Sequence, residues 1–186
     1  MLRTKQLVVV ASLVVAMAAP GIADTKRVQD PQEGTFAPID AKSARHDHAS
    51  QGAAGFAGMV LVHEVTMYDE WSNDQLKSFV LRMRSKRWDK PRRLFVQHND
   101  DGTLYGTIWS GDRLRGYARV HRPDARTLRI SFPKSALGND VRSYRWFMLM
   151  TGPWECPPDV TCAPPPAERV PDTGTVPHRG LWRYNE

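Results

Sequence analysis

Cysteine is nearly absent from this sequence: there are two, Cys156 and Cys162. Two thiols cannot supply a four-cysteine zinc site or a multiply bridged scaffold, and their spacing in CPPDVTC is not the C-x-x-C of a redox dithiol. Long apolar runs are missing too. The pronounced one, Leu7 to Ala19, falls short of the ~20 residues that span a bilayer. Neither G-x-S-x-G nor H-E-x-x-H occurs, and no carboxylate pair stands out on adjacent strand-length segments, so the signatures of nucleophile-elbow hydrolases, zincins and glycosidases are lacking. Ser131-Phe132-Pro133-Lys134 has S-x-x-K spacing but ends a strand-like run at a proline instead of opening a helix. No repeat of solenoid length is visible. The expectation is a non-enzyme. A hydrolase would instead need a cleft gathering histidine with carboxylate, and the pairs to watch are His98 with Asp101 and His178 with Asp172.

Charge is modest. The formal net charge is +6, and the residues at the start explain part of it. Arg3 and Lys5 precede the apolar run, which ends at Pro20-Gly21-Ile22-Ala23, with small residues suited to a cleavage pocket. Residues 1–23 read as a secretory signal peptide, and its removal takes two basic residues and no acidic one, leaving about +4. That excess is too small and too scattered for nucleic-acid binding. It suits attraction to anionic polymers, so the expectation is a secreted, extracellular protein with an affinity for the cell envelope and no transmembrane span after cleavage. In an oxidising compartment Cys156 and Cys162 are expected to form a disulfide, a short loop contributing ~2–3 kcal/mol.

Residues 24–55 show neither a period of 2 nor one of 3.6 and read as a flexible linker, in which His46-Asp47-His48 is a loose metal-binding pair. The folded domain is expected over 56–186. Gly58 to Met67 reads as a strand, and in Leu76 to Arg84 the residues Phe79, Leu81 and Met83 alternate with Val80, Arg82 and Arg84. Arg93 to Gly138 then gives four strand-length runs separated by Asp-Gly, Ser-Gly-Asp and Arg-Pro-Asp-Ala, the turn chemistry of a β-meander. Its inward set is Leu94 and Val96, then Leu104, Gly106 and Ile108, then Leu114, Gly116, Ala118 and Val120, then Leu128, Ile130 and Phe132. Lys134 to Leu137 fits one helical turn. Ser143 to Thr151 has apolar residues on both faces, which marks a central strand. The fold class is an all-β, antiparallel β-sandwich, jelly-roll-like, with a core ~10 Å thick.

The strand–turn–strand meander, RPDARTLRISFPKSALG, the aromatic strand SYRWFM, a paired-cysteine loop and PDTG-x-x-PH follow one another between Val62 and His178. This order resembles small exported β-sandwich domains of unknown function common in actinobacteria, which look like carbohydrate-binding-module and DOMON-like sandwiches. The resemblance implies a sandwich that binds ligand through exposed aromatics, calcium or haem, and it carries over no catalytic residue.

The binding candidates are arginines around a tyrosine. Arg115, Tyr117 and Arg119 share an outward face with Arg82, Arg84 and Arg129 if their strands are neighbours, and Trp109 lies close by. Guanidinium forks suit carboxylate and phosphate, while an aromatic face stacks on a sugar, so extracellular or cell-wall glycan is the expected partner. Trp71, Trp88 and Trp154 fall in loops as further platforms or as plugs, and Trp146 belongs to the core. No cofactor is expected. The weak metal candidates are Asn99, Asp100 and Asp101, turn oxygens of the kind calcium uses. A haem axial pair drawn from His63 or His98 with Met67, Met83, Met148 or Met150 lacks a diagnostic neighbour. The other reading kept open is a structural protein–protein interaction domain.

Overall fold

The computed structural model describes residues 26–32, 39–49, 53–153, 167–172 and 174–178. Their strands are β1 (Lys26–Gln29), β2 (Ala41–Ala49), β3 (Val60–Met67), β4 (Ser78–Arg84), β5 (Arg92–His98), β6 (Leu104–Ser110), β7 (Arg113–His121), β8 (Thr127–Pro133), β9 (Tyr144–Thr151), β10 (Glu168–Val170) and β11 (Val176–His178). The meander is β5 to β8, joined by the turns expected of it, and Lys134–Ala136 is a single 3₁₀ turn. β9 is central: β4 pairs with one edge, while the other is shared by β11 at Tyr144 to Trp146 and β10 at Met148 to Met150.

The all-β antiparallel class holds, but the two-sheet sandwich does not. All eleven strands belong to one sheet, ordered β1-β2-β3-β8-β7-β6-β5-β4-β9-β10 with β11 also on β9. The sheet curls until β10 lies against β2 and β11 against β1, a nearly closed barrel. Alternating strands look alike in sequence whether their inner faces meet another sheet or their own continuation. The small inner residues serve that curvature. Gly106 lies opposite Ala118 in the β6–β7 register, and a Cβ on it would fall 2.8 Å from the Ala118 Cβ. Gly116 leaves room for Ala136, whose Cβ would be 3.2 Å from one added there. The connection carrying Ala136 runs from β8 to β9 across an end of the barrel, and its Leu137 and Val141 are fully buried. Inside, Phe79, Leu81, Leu94, Ile108, Phe132, Trp146 and Met148 form the main apolar cluster, each contributing roughly 1.5–3 kcal/mol by leaving water.

The flexible linker is also corrected. Lys26 to Gln29 and Ala41 to Ala49 are strands, and β2 pairs along its length with β3. Two things hid β2. Its inward residues are Ala44, His46 and His48 instead of branched aliphatics, and a register shift between Ala41 and Ser43 breaks the period of 2. A bulge of this kind moves every following side chain to the other face. The proposed signal peptide and both cysteines lie outside the described residues.

Gly106→Ala is expected to destabilise the barrel by about 1–3 kcal/mol, because a methyl group has no space against Ala118. A urea titration checks this as a lower midpoint with an unchanged slope; an unmoved midpoint would contradict the close β6–β7 approach.

Candidate functional site

Two adjoining hollows open on the outside of β4 and β9. One, of about 430 Å³, is lined by Arg82, Arg84, Lys90, Arg93, Arg145 and Phe147, with Thr175 at its rim. The other, of about 670 Å³, is lined by Arg84, Lys86, Arg87, Arg142 and Arg145 with Tyr144, Thr175 and Pro177. Neither hollow has a carboxylate among its described lining residues. Among the described residues the ion pairs are Arg45–Glu64 and Arg129–Glu64, so none of these cations is neutralised by a described acid.

The local structure follows from alternation. Phe79, Leu81 and Met83 turn into the barrel, which leaves Arg82 and Arg84 outside; Tyr144 and Trp146 likewise leave Arg145 and Phe147 outside. The register then sets Arg84 opposite Arg145 and Arg82 between Phe147 and Arg93. Like charges directly opposed across strands cost roughly 0.2–1 kcal/mol. Several of the side chains are held in place. The Arg82 guanidinium lies 5.9 Å from the Phe147 ring centroid and that of Arg169 4.5 Å, Arg93 donates to the Gly111 carbonyl at 3.1 Å, and Arg145 donates to the Thr175 carbonyl at 2.9 Å. Ordered guanidinium forks facing an open hollow suit a carboxylate, sulfate or phosphate, with little side-chain entropy left to lose.

The structure divides the arginines singled out by sequence. Arg115, Tyr117 and Arg119 do share the outer face of β7, with Tyr117 60% exposed. Arg82 and Arg84 lie on β4, separated from β7 by β5 and β6, so they join the hollows and not the tyrosine. Arg119 extends over Phe56, 5.6 Å from its ring centroid. Arg129 is held by Glu64, whose other oxygen is held by Arg45; the three are register partners across β8, β3 and β2. Burial alone would raise the Glu64 carboxyl, and hydrogen bonds from the two arginines outweigh it and hold the group below its usual range. Trp109 is half-buried on β6. Trp71 is a plug: it is buried, donates to the Arg126 carbonyl at 3.1 Å and carries the Arg122 guanidinium over its ring. Trp154 lies outside the described residues. Asn99, Asp100 and Asp101 form the β5–β6 turn, where Asp101 accepts from the Thr103 N–H at 2.9 Å and its hydroxyl at 2.6 Å. Among the described residues no group of three or more His, Cys, Asp or Glu side chains is placed to hold a metal ion. His98 meets the Asn73 carbonyl oxygen at 2.7 Å.

What sequence reasoning missed is histidine inside the barrel. His46 and His48 of β2, His63 of β3 and His178 of β11 are all buried and surround Tyr144 and Trp146. The Trp146 indole N–H donates to His46 Nδ1 at 2.9 Å. The Tyr144 hydroxyl lies 2.7 Å from His63 Nε2 and 2.9 Å from His178 Nδ1, and His178 Nε2 lies 3.3 Å from His48 Nδ1. The His46 and His178 rings stack with centroids 3.9 Å apart. A tyrosine has one proton to give, so it donates to one of its two histidines and accepts from the other. Burial pushes His63 and His178 well below the ordinary imidazole range, His46 adding to the effect on both and His63 and His48 to that on His178. Burial likewise pushes the Tyr144 phenol up. The available signals were the His-x-His spacing of 46 and 48 and the Pro-His at 177–178, each invisible to a hydropathy pattern.

No protein-family model matches this chain, nor does a curated protein or a solved structure.

Replacing Arg84 with Gln is expected to stabilise the barrel by about 0.5 kcal/mol at low ionic strength, because it removes a like charge opposite Arg145. The gain should fade in high salt as screening takes over. Denaturant titrations at the two salt levels check this, and a loss of stability would mean that Arg84 has a structural partner. His63 and His178 also give the fold a pH dependence of known sign. Both are neutral when folded and accept protons when unfolded, so their contribution is complete above pH ~6.5 and falls by about 1.4 kcal/mol per pH unit for each group below it. Urea midpoints measured from pH 7.5 to 5 should therefore decline steeply, and a flat profile would show that the two histidines are not buried neutral.

Proposed function

We propose that this chain is a secreted, non-catalytic binding module whose ligand is an anionic extracellular or cell-envelope glycan, held in the cationic hollows on β4 and β9. The observation that carries the reading is the pair of hollows lined by eight lysines and arginines and, among the described residues, by no carboxylate. A merely solvated face usually intersperses charges of both signs, whereas here Arg84 stands opposite Arg145 and no described acid forms an ion pair with either. Guanidinium stacked on Phe147 and bonded to Thr175 is ordered before ligand arrives, which favours repeated carboxylate or ester-sulfate groups along a polymer. At physiological ionic strength the field reaches about 8 Å, so the eight charges act together on a chain lying along the two hollows and weakly on a distant one. Export is the part of this reading that rests on residues 1–23, and it places the module where such polymers are found.

The test is retention of the protein on polygalacturonate and on purified cell wall, with cellulose as the neutral control. Retention at low salt, elution at high salt and passage through cellulose are expected. Arg82→Ala/Arg84→Ala should weaken retention by about tenfold or more, since each forked contact is worth roughly 1.5–3 kcal/mol, while Arg115→Ala/Tyr117→Ala should change it little. Loss in the second variant alone would move the site to the face of β7, and equal passage of wild type through all three matrices would refute the function.

A further inference from the structure

Four arginines line the smaller hollow, and the strand register sets them in two pairs. Arg82 of β4 stands opposite Arg93 of β5, and Arg84, further along the same face of β4, stands opposite Arg145 of β9. Residues directly opposed across an antiparallel ladder have Cβ atoms only ~5 Å apart, and a step of two residues along a strand is ~7 Å. All four line one hollow of about 430 Å³. Arg84, Arg145 and Thr175 also line the larger hollow, so the second pair stands where the two adjoin. Lys90 adds an ammonium to the smaller hollow, and its stem lies along Gly111, where a Cβ would fall 3.0 Å from the lysine Cδ.

Elsewhere the same sheet shows how a carboxylate serves two arginines. Glu64 gives one oxygen to Arg45 and the other to Arg129, its register partners on either side. That arrangement puts the carboxylate between the arginines, whose strands lie two spacings, ~10 Å, apart. In the hollow the members of each pair stand on adjacent strands, so an anion reaches both guanidinium forks from the same side. A carboxylate has two oxygens, and one bidentate fork occupies both. A sulfate ester or a phosphate monoester carries three terminal oxygens in a tripod, so two neighbouring forks can each take two of them and share the third.

We propose that the group this site selects is a tetrahedral oxyanion ester, a sulfate or phosphate monoester on a glycan, with one such group on the Arg82–Arg93 pair and the next on the Arg84–Arg145 pair. The inference rests on the binding function proposed above and specifies the charged group that the ligand carries. One member of each pair is already restrained. Arg93 donates from Nη2 to the Gly111 carbonyl, and Arg145 donates from Nε and Nη2 to Thr175. Both keep Nη1 without a partner among the described residues, and less side-chain freedom is left to lose on binding. Bulk attraction ranks polymers by their charge density alone, whereas paired forks rank them by the shape of the anion when charge is equal.

Affinities for dextran sulfate, dextran phosphate and carboxymethyl dextran test this, with one backbone substituted to the same charge per sugar and measured at physiological ionic strength. At least one of the two oxyanion polymers should bind about tenfold or more tightly than the carboxymethyl polymer, and the tighter of the two identifies the ester. In Arg82→Lys/Arg84→Lys the charge stays but the forks become point charges, so the preference should fall to about twofold or less. That preference is a ratio between ligands on the same protein, and a loss of folded fraction does not move it. Carboxymethyl dextran binding as tightly as both oxyanion polymers overturns the proposal and leaves the anionic-glycan function standing. An undiminished preference in the lysine variant also overturns it. Failure of all three polymers to bind refutes this inference and the binding function together.

Discussion

The closure of the sheet depends on burying imidazole where aliphatic side chains would ordinarily go. A curled antiparallel sheet must either leave two edges exposed or bring them together. Here the edge regions meet through His46, His48 and His178, with the Trp146 N–H donating to His46 and the Tyr144 hydroxyl bonded to His178. Polar groups inside a barrel are tolerated when they bond to one another, and an unmatched one costs several times what a matched one contributes. The Tyr144 hydroxyl, between two histidines, lets either proton arrangement satisfy both bonds.

That interior also positions the exterior. Because Tyr144 and Trp146 turn inward, Arg145 and Phe147 turn outward; because Phe79, Leu81 and Met83 pack in the core, Arg82 and Arg84 meet them across the β4–β9 ladder. The cationic surface is the reverse side of fully buried core residues on β4 and β9. Arg82, Arg84 and Arg145 are held on paired strands, while Lys86, Arg87, Lys90 and Arg142 stand in the connections beside them.

Much of the fold was legible in the sequence, and its limits have physical causes. The meander from Arg93 to Gly138, the strand at Phe79 to Met83 and the central character of Tyr144 to Met150 all rest on aliphatic and aromatic alternation. β2 failed because alanine and histidine fill its inward positions and a bulge resets its phase. Sandwich and barrel differ in whether the two ends of the sheet meet, and that information resides in part in β10 and β11, each too short to show a period. The arginine face was legible in kind and not in place. The run from Arg84 to Arg93 holds six lysines and arginines against one acid, Asp89, yet pairing with Arg145 could be known only from the β4–β9 register. The histidine cluster joins residues separated by up to 132 positions, from His46 to His178, and no local pattern encodes such a contact.

The strand order has a further consequence for how the barrel forms. β4 to β8 are successive neighbours and can assemble as hairpins, each closing a short loop. β3 must then wait for β8 and β9 must return to β4, and the contacts that turn the ribbon into a barrel, β10 with β2 and β11 with β1, are more distant still along the chain. Loop-closure entropy makes such joins slow. A β4-to-β8 sheet formed ahead of these joins would carry two unpaired edges, the arrangement through which one copy can join edges with another.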